Sequence, residues 1–179
     1  KKYLVKKKSD WINEVLNTSL SDEKRPFTIS GNLNVNNVLP ARDSYFSGGI
    51  KRSNRYPNDS FLTNWSKSDS IYWPIQVMND GLYSLRIFIN ANNESLNSEL
   101  IVSTNNSNVE GKVNKVFISD LRGMENDRVP RIESYLKDFD AIDLKPIYLT
   151  KQSKYLSIKR GNNSLGSLDF KRIILKSSD

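Results

Sequence analysis

Past about residue 25, apolar residues fall at every second position in short runs. Ile71, Trp73, Ile75 and Val77 alternate with Tyr72, Pro74, Gln76 and Met78. Asn79-Asp80-Gly81 is a turn signal, and Tyr83, Leu85, Ile87 and Ile89 then alternate with Ser84, Arg86 and Phe88. A period of two marks strands with one buried face, so the pair predicts a β-hairpin with Trp73 and Tyr83 in the core. Pro74 cannot donate to a ladder and predicts an edge position or a bulge. Shorter strands are expected at Leu100–Ser103, Gly111–Ile118, Tyr135–Phe139, Pro146–Leu149, Leu156–Lys159 and Ser167–Leu175, with a polar loop over Asn90–Ser98. Many short strands divided by Asn/Gly/Ser turns predict an all-β antiparallel sandwich or barrel.

Residues 1–24 follow another rule. Leu4, Lys8, Trp11, Ile12, Val15 and Leu16 sit near helical spacing, with Ser9 or Asp10 as a candidate cap and Trp11 as its packing residue. Ser21-Asp22-Glu23-Lys24-Arg25-Pro26 is a charged linker ending in proline, which stops a helix. The expected organisation is a helical lead-in over 1–24, from an upstream domain, and a sandwich over 25–179. Within the sandwich, residues 39–65 read as neither strand nor helix. An irregular stretch this long in a compact domain is usually functional or packed on a sheet.

Composition removes much chemistry. The chain has 179 residues, no cysteine and no histidine. That excludes a Cys nucleophile, thiolate or His-ligated metal sites, and Ser-His-Asp or Cys-His machinery. The formal charge of +7 admits nucleic acid or an anionic polymer as partner. No zinc finger, RNP motif, helix-turn-helix or GXXG loop supports nucleic acid. No apolar run is long enough for a membrane helix.

Several ordered motifs carry a family resemblance. They are Leu39-Pro40-Ala41-Arg42-Asp43, Gly49-Ile50-Lys51-Arg52-Ser53-Asn54, Pro57-Asn58-Asp59-Ser60 and Thr63-Asn64-Trp65. The run Asp127-Arg128-Val129-Pro130-Arg131-Ile132-Glu133-Ser134-Tyr135-Leu136-Lys137-Asp138-Phe139 and the closing Leu168-Asp169-Phe170-Lys171 complete the set. Together, over roughly residues 25 to 176, they resemble the C-terminal non-catalytic domain of bacterial formylglycine-dependent sulfatases of the arylsulfatase type. The resemblance implies a jelly-roll sandwich of galactose-binding-like or carbohydrate-binding-module-like form. It also implies a secreted, periplasmic or cell-surface parent enzyme that removes sulfate esters from glycans. That family's nucleophile arises from a Cys/Ser-x-Pro-x-Arg motif. The nearest spelling is Val38-Leu39-Pro40-Ala41-Arg42, where valine has no heteroatom to oxidise. Sulfatase activity therefore does not transfer to this chain.

The candidate glycan-binding residues are Arg42, Arg52, Asn54, Asn64, Trp65, Arg128 and Arg131. Guanidinium forks pair with sulfate or carboxylate, amides bond sugar hydroxyls, and an aromatic ring stacks on a sugar face. Trp65 and Tyr45, both in the irregular region, are the aromatics expected to be exposed. Arg and Asn also satisfy the backbone of a long loop, so each has a structural reading too. Asp138, Asp140 and Asp143 are closely spaced hard ligands for a structural calcium ion, although no EF-hand loop is present. The expected function is an accessory domain of a sulfatase that binds sulfated or otherwise anionic glycan. The alternative is a structural domain that packs on its parent catalytic domain. Exposed Arg52, Arg128 and Trp65 on a concave face favour the first. Burial against carboxylates favours the second.

Overall fold

The computed structural model describes residues 2–16, 25–54, 60–123, 128–129 and 136–178. Among the described residues one helix, α1 (Lys2–Leu16), precedes twelve strands. These are β1 (Phe27–Ile29), β2 (Asn37–Pro40), β3 (Tyr45–Phe46), β4 (Lys51–Arg52), β5 (Leu62–Trp65), β6 (Ser70–Val77), β7 (Gly81–Ala91), β8 (Glu99–Ser103), β9 (Asn108–Lys112), β10 (Asp140–Leu149), β11 (Tyr155–Arg160) and β12 (Leu168–Ser177). They form two six-stranded sheets: β1-β6-β11-β8-β9 with β3 on β6, and β10-β7-β12-β5-β4 with β2 on β12. Every pairing is antiparallel except β1 with β6. The all-β sandwich expected from the alternation is the architecture observed.

The two inner faces interleave into one core. Ile71, Trp73, Ile75 and Val77 of β6 and Leu156 and Ile158 of β11 contribute from one side. Tyr83, Leu85, Ile87 and Ile89 of β7 and Leu168, Phe170, Ile173 and Leu175 of β12 contribute from the other. Phe170 and Ile173 both point inward because the ladder slips between Phe170 and Arg172, and an extra residue reverses the alternation. A second slip, between Leu144 and Ile147, contains Pro146. That proline lies inside a longer strand rather than opening one, at the kind of irregularity that tolerates a missing N–H.

The expected hairpin is not one. β6 and β7 lie in different sheets, so Asn79-Asp80-Gly81 carries the chain across the core. A period of two requires each strand to bury one face, and a partner opposite satisfies that as well as a partner alongside. Tyr83 braces the corner by donating its hydroxyl to the Asn79 carbonyl at 2.8 Å. β6 is interior, with β11 on one flank and β3 and β1 sharing the other. Pro74 falls between the last β3 pair, at Tyr72, and the first β1 pair, at Ile75, where its flank has no partner.

Other expectations shift. The helix runs through Ser9 and Asp10, so neither caps it, and Trp11 is 62% exposed rather than packed. Residues 17–24 lie outside the described residues. β9 is Asn108–Lys112, and 113–118 form only an isolated bridge at Phe117. Leu136 bridges Arg122 instead of opening a strand, and Tyr135 lies outside the described residues. The segment 39–65 contains β3, β4 and β5, too short for their alternation to register in the sequence.

Candidate functional site

β4 and β5 form a narrow antiparallel ribbon at the edge of the second sheet, pairing Lys51 with Thr63 and Arg52 with Leu62. The Ser53 amide donates to the Phe61 carbonyl at 2.9 Å, and the Phe61 amide donates to the Ser53 hydroxyl at 3.1 Å. These bonds hold Ser53 and Asn54 at the rim of a groove of about 230 Å³. Its other walls are Phe61, Thr63, Leu121, Lys137 and Asp169. Thr63 comes from β5 and Asp169 from β12, while Leu121 and Lys137 come from the segments joined by the Arg122–Leu136 bridge.

A half-buried ion pair forms one side of this groove. Lys137 Nζ lies 2.5 Å from Asp169 Oδ2, with the two side chains 17% and 15% exposed. The same ammonium sits 5.6 Å from the Phe61 ring centroid. Phe61 in turn meets Phe139 edge to face at 5.3 Å. An apolar floor, an ammonium, a carboxylate, an amide and hydroxyls thus converge on one small concavity. That combination suits a ligand with both a hydrophobic face and many hydroxyls.

Arg52 ends β4, one residue before the groove residue Ser53, and its side chain turns to other partners. It donates to the Arg42 carbonyl at 2.5 Å and lies 5.6 Å over the Phe46 ring. Arg42 is exposed on the 3-10 turn Ala41–Asp43 and pairs with Asp43 at 3.3 Å. The structure therefore brings Arg52 onto Arg42, while Asn54 lines the groove. Arg128 is exposed, and Arg131 lies outside the described residues. Asn64 is elsewhere engaged: its backbone is left-handed, at φ 59°, and its amide donates to the Gly49 carbonyl at 2.8 Å.

Trp65 overturns its expectation. It is fully buried, its indole N–H donates to the Asp69 carbonyl at 3.0 Å, and its ring meets Phe170 edge to face. Its neighbours in sequence are polar, but it ends β5 on the inward side of the strand. It therefore cannot stack on a sugar. Tyr45 is half-buried and stacked on Tyr72.

The three aspartates do not share a site. Asp138 pairs with Arg122, Asp140 with Lys115 and Asp143 with Arg86. Hydrogen bonds from Lys115 and the Ala141 amide hold the Asp140 carboxyl below the usual carboxylate range. Arg86 does the same for Asp143. Among the described residues no group of three acidic side chains is placed to hold a metal ion. Strand alternation and separate cations disperse what closeness in sequence suggested.

Residue type alone does not single out the groove residues Lys137 and Asp169. Both, however, lie in the collinear motifs, at Lys137-Asp138-Phe139 and Leu168-Asp169-Phe170-Lys171. Motifs distant in sequence that meet in space were the available signal.

No family model matches this chain, and no curated protein sequence matches it. Solved structures do resemble it. The C-terminal CBM6 of LamC, a marine laminarinase from Zobellia galactanivorans, superposes with TM-score 0.55 at 7% identity, over 80% of this chain and 100% of that one. The mosquito-larvicidal Cry4Aa toxin from Bacillus thuringiensis gives 0.56 at 14% identity, over 89% of this chain and 26% of the toxin. The insecticidal crystal protein Cry2Aa gives 0.57 at 13% identity, over 84% of this chain and 22% of that one. At such identities the likeness is one of fold, and the fold is a β-sandwich of the CBM6-like kind.

Proposed function

We propose that this chain is a non-catalytic accessory module that binds glycan, and that its parent is an exported sulfatase acting on sulfated or otherwise anionic glycans. The carrying observation is the convergence of Ser53, Asn54, Thr63, Lys137 and Asp169 around an apolar floor, with Arg52 next to Ser53 in the chain. Asp169, held by Lys137, is a carboxylate acceptor for sugar hydroxyls, and the Asn54 amide lines the same groove. Among the described residues Arg52 has no carboxylate partner, so its charge is available to a sulfate or uronate. Arg42 and Arg128 extend the basic surface, and Arg131 belongs to the same motif as Arg128. The CBM6-like fold supports the accessory reading. The sulfatase parent rests on the collinear motifs, with residues 1–24 as the join and 25–179 as the module.

Affinity for heparin and its desulfated form, titrated at several salt concentrations, tests this reading. The expected result is tighter binding of the sulfated form, weakening with salt, and several-fold loss in Arg52→Ala and Asn54→Ala. No affinity for a broad sulfated-glycan panel at low salt counts against it. The packing of Arg52 on Phe46 favours the structural alternative, which predicts that Arg52→Ala lowers Tm and leaves glycan affinity unchanged. A Cys/Ser-x-Pro-x-Arg motif encoded upstream of Lys1 supports the parentage.

A further inference from the structure

The outer face of the first sheet carries a feature unrelated to the basic groove. Strand register sets Tyr45 opposite Tyr72, Tyr72 opposite Ser157, Ser157 opposite Ser103, and Ser103 opposite Asn108. These five side chains form one row across β3, β6, β11, β8 and β9. Their alternation partners Ile71, Trp73, Leu156, Ile158, Leu100 and Val102 are buried, so the row faces solvent. At about 4.8 Å per strand the row is about 19 Å long. It is uncharged from end to end.

Its two halves differ in chemistry. The Tyr45 and Tyr72 rings stack at 5.1 Å with planes 16° apart, and Tyr72 is 41% exposed. A centroid separation close to one strand spacing means that each ring stands over its own strand. On the far side of Tyr72 come the short side chains Ser157 and Ser103, whose hydroxyls bond each other at 3.0 Å. This leaves a low shelf beside the raised ring. Tyr155, 40% exposed, sits opposite Pro74 in the adjacent row, diagonal to Tyr72. Aromatic faces followed by hydroxyls and an amide, without charge, complement an uncharged polyol whose ring carbons pack on tyrosine and whose hydroxyls bond serine and asparagine.

We propose that this row is a second glycan surface, taking an uncharged linear oligosaccharide laid across the strands. It rests on the reading of the chain as a glycan-binding module and adds a surface with a different ligand charge. The test is affinity electrophoresis of the full chain in gels containing soluble neutral β-glucan, xylan or galactomannan, at low and high salt. Retardation by at least one polymer, insensitive to salt, is expected. Tyr72→Ala should weaken it by roughly 2- to 13-fold, the contribution of one stacked ring. Tyr72→Phe, which keeps the ring, should retain it and control for folding, as should the Tm of both variants. No retardation by any neutral polymer overturns the second surface, and leaves the anionic-glycan reading standing if heparin still binds. Neutral binding that survives Tyr72→Ala but is lost in Asn54→Ala also overturns it, by assigning that ligand to the groove.

Discussion

The guanidinium of Arg160 donates to the carbonyl of Trp65 at 2.6 Å, joining positions 95 residues apart. The same side chain donates to the carbonyls of Gly166 and Leu165 and to the Ser98 hydroxyl, at 2.8, 2.5 and 2.9 Å. It is fully buried, and among the described residues its Nε has no partner. Burial pulls its pKa down to about 10, with Asp69 opposing, so it remains a cation at neutral pH. A wholly buried cation held by neutral acceptors serves architecture: it ties the 161–166 loop and β5 to one end of the sandwich.

Arg160→Met should therefore cost about 3 kcal/mol, because the buried Trp65 carbonyl loses its donor, as do the part-buried carbonyls of Leu165 and Gly166. Urea unfolding of the two proteins measures the difference. A change below about 1 kcal/mol would show that the loop rearranges to solvate them.

Gly48→Ala should destabilise by about 2 kcal/mol or more. Gly48 has φ 83°, and a Cβ there would collide with the Asp69 carboxylate. That carboxylate accepts from the Gly49 and Ser66 amides at 3.2 and 3.0 Å, so it cannot swing away without loosening the loop that carries Trp65. Thermal unfolding reads the effect.

Tyr83→Phe tests the corner between the sheets. Losing the bond to the Asn79 carbonyl should cost about 1 kcal/mol at neutral pH. Burial, with Asp80 adding to it, raises the Tyr83 pKa above the ordinary 10.0. The folded state thus favours the neutral phenol. The stability this provides is complete below pH 10 and is lost as pH rises through the raised value. The wild-type advantage over Tyr83→Phe should hold from neutral pH up to about pH 10 and shrink only between there and the raised value. An advantage that stays constant would remove the phenol from the linkage.

Two ion pairs should behave differently in double-mutant cycles. Arg86–Asp143 joins side chains 56% and 65% exposed, and its coupling should stay below about 1 kcal/mol. Lys137–Asp169 is largely buried, so removing either partner alone leaves a desolvated charge, and each single variant should cost more than the corresponding Arg86 or Asp143 variant. Equal costs would mean that the groove is wetter than its geometry indicates.

Much of the fold was legible because strand period is a local property. The runs at 71–77 and 83–89 revealed their buried faces, and Trp73 and Tyr83 are core residues as expected. The candidate site was less legible. Arg52 bonds the Arg42 carbonyl, a contact within one segment, but the burial of Trp65 is not legible, because one aromatic residue in a four-residue strand shows no period. Lys137 and Asp169 come together only through the packing of β12 against the segment after the Arg122–Leu136 bridge.

From its residues alone the chain settled two matters: no imidazole or thiol chemistry, and strands with one apolar face each. Which strands share a sheet was decided by tertiary structure, because an apolar face is satisfied equally by a neighbour above it or by one across a turn. The row from Tyr45 to Asn108 is likewise tertiary. Its members come from five strands, and only hydrogen-bond register between them sets the order.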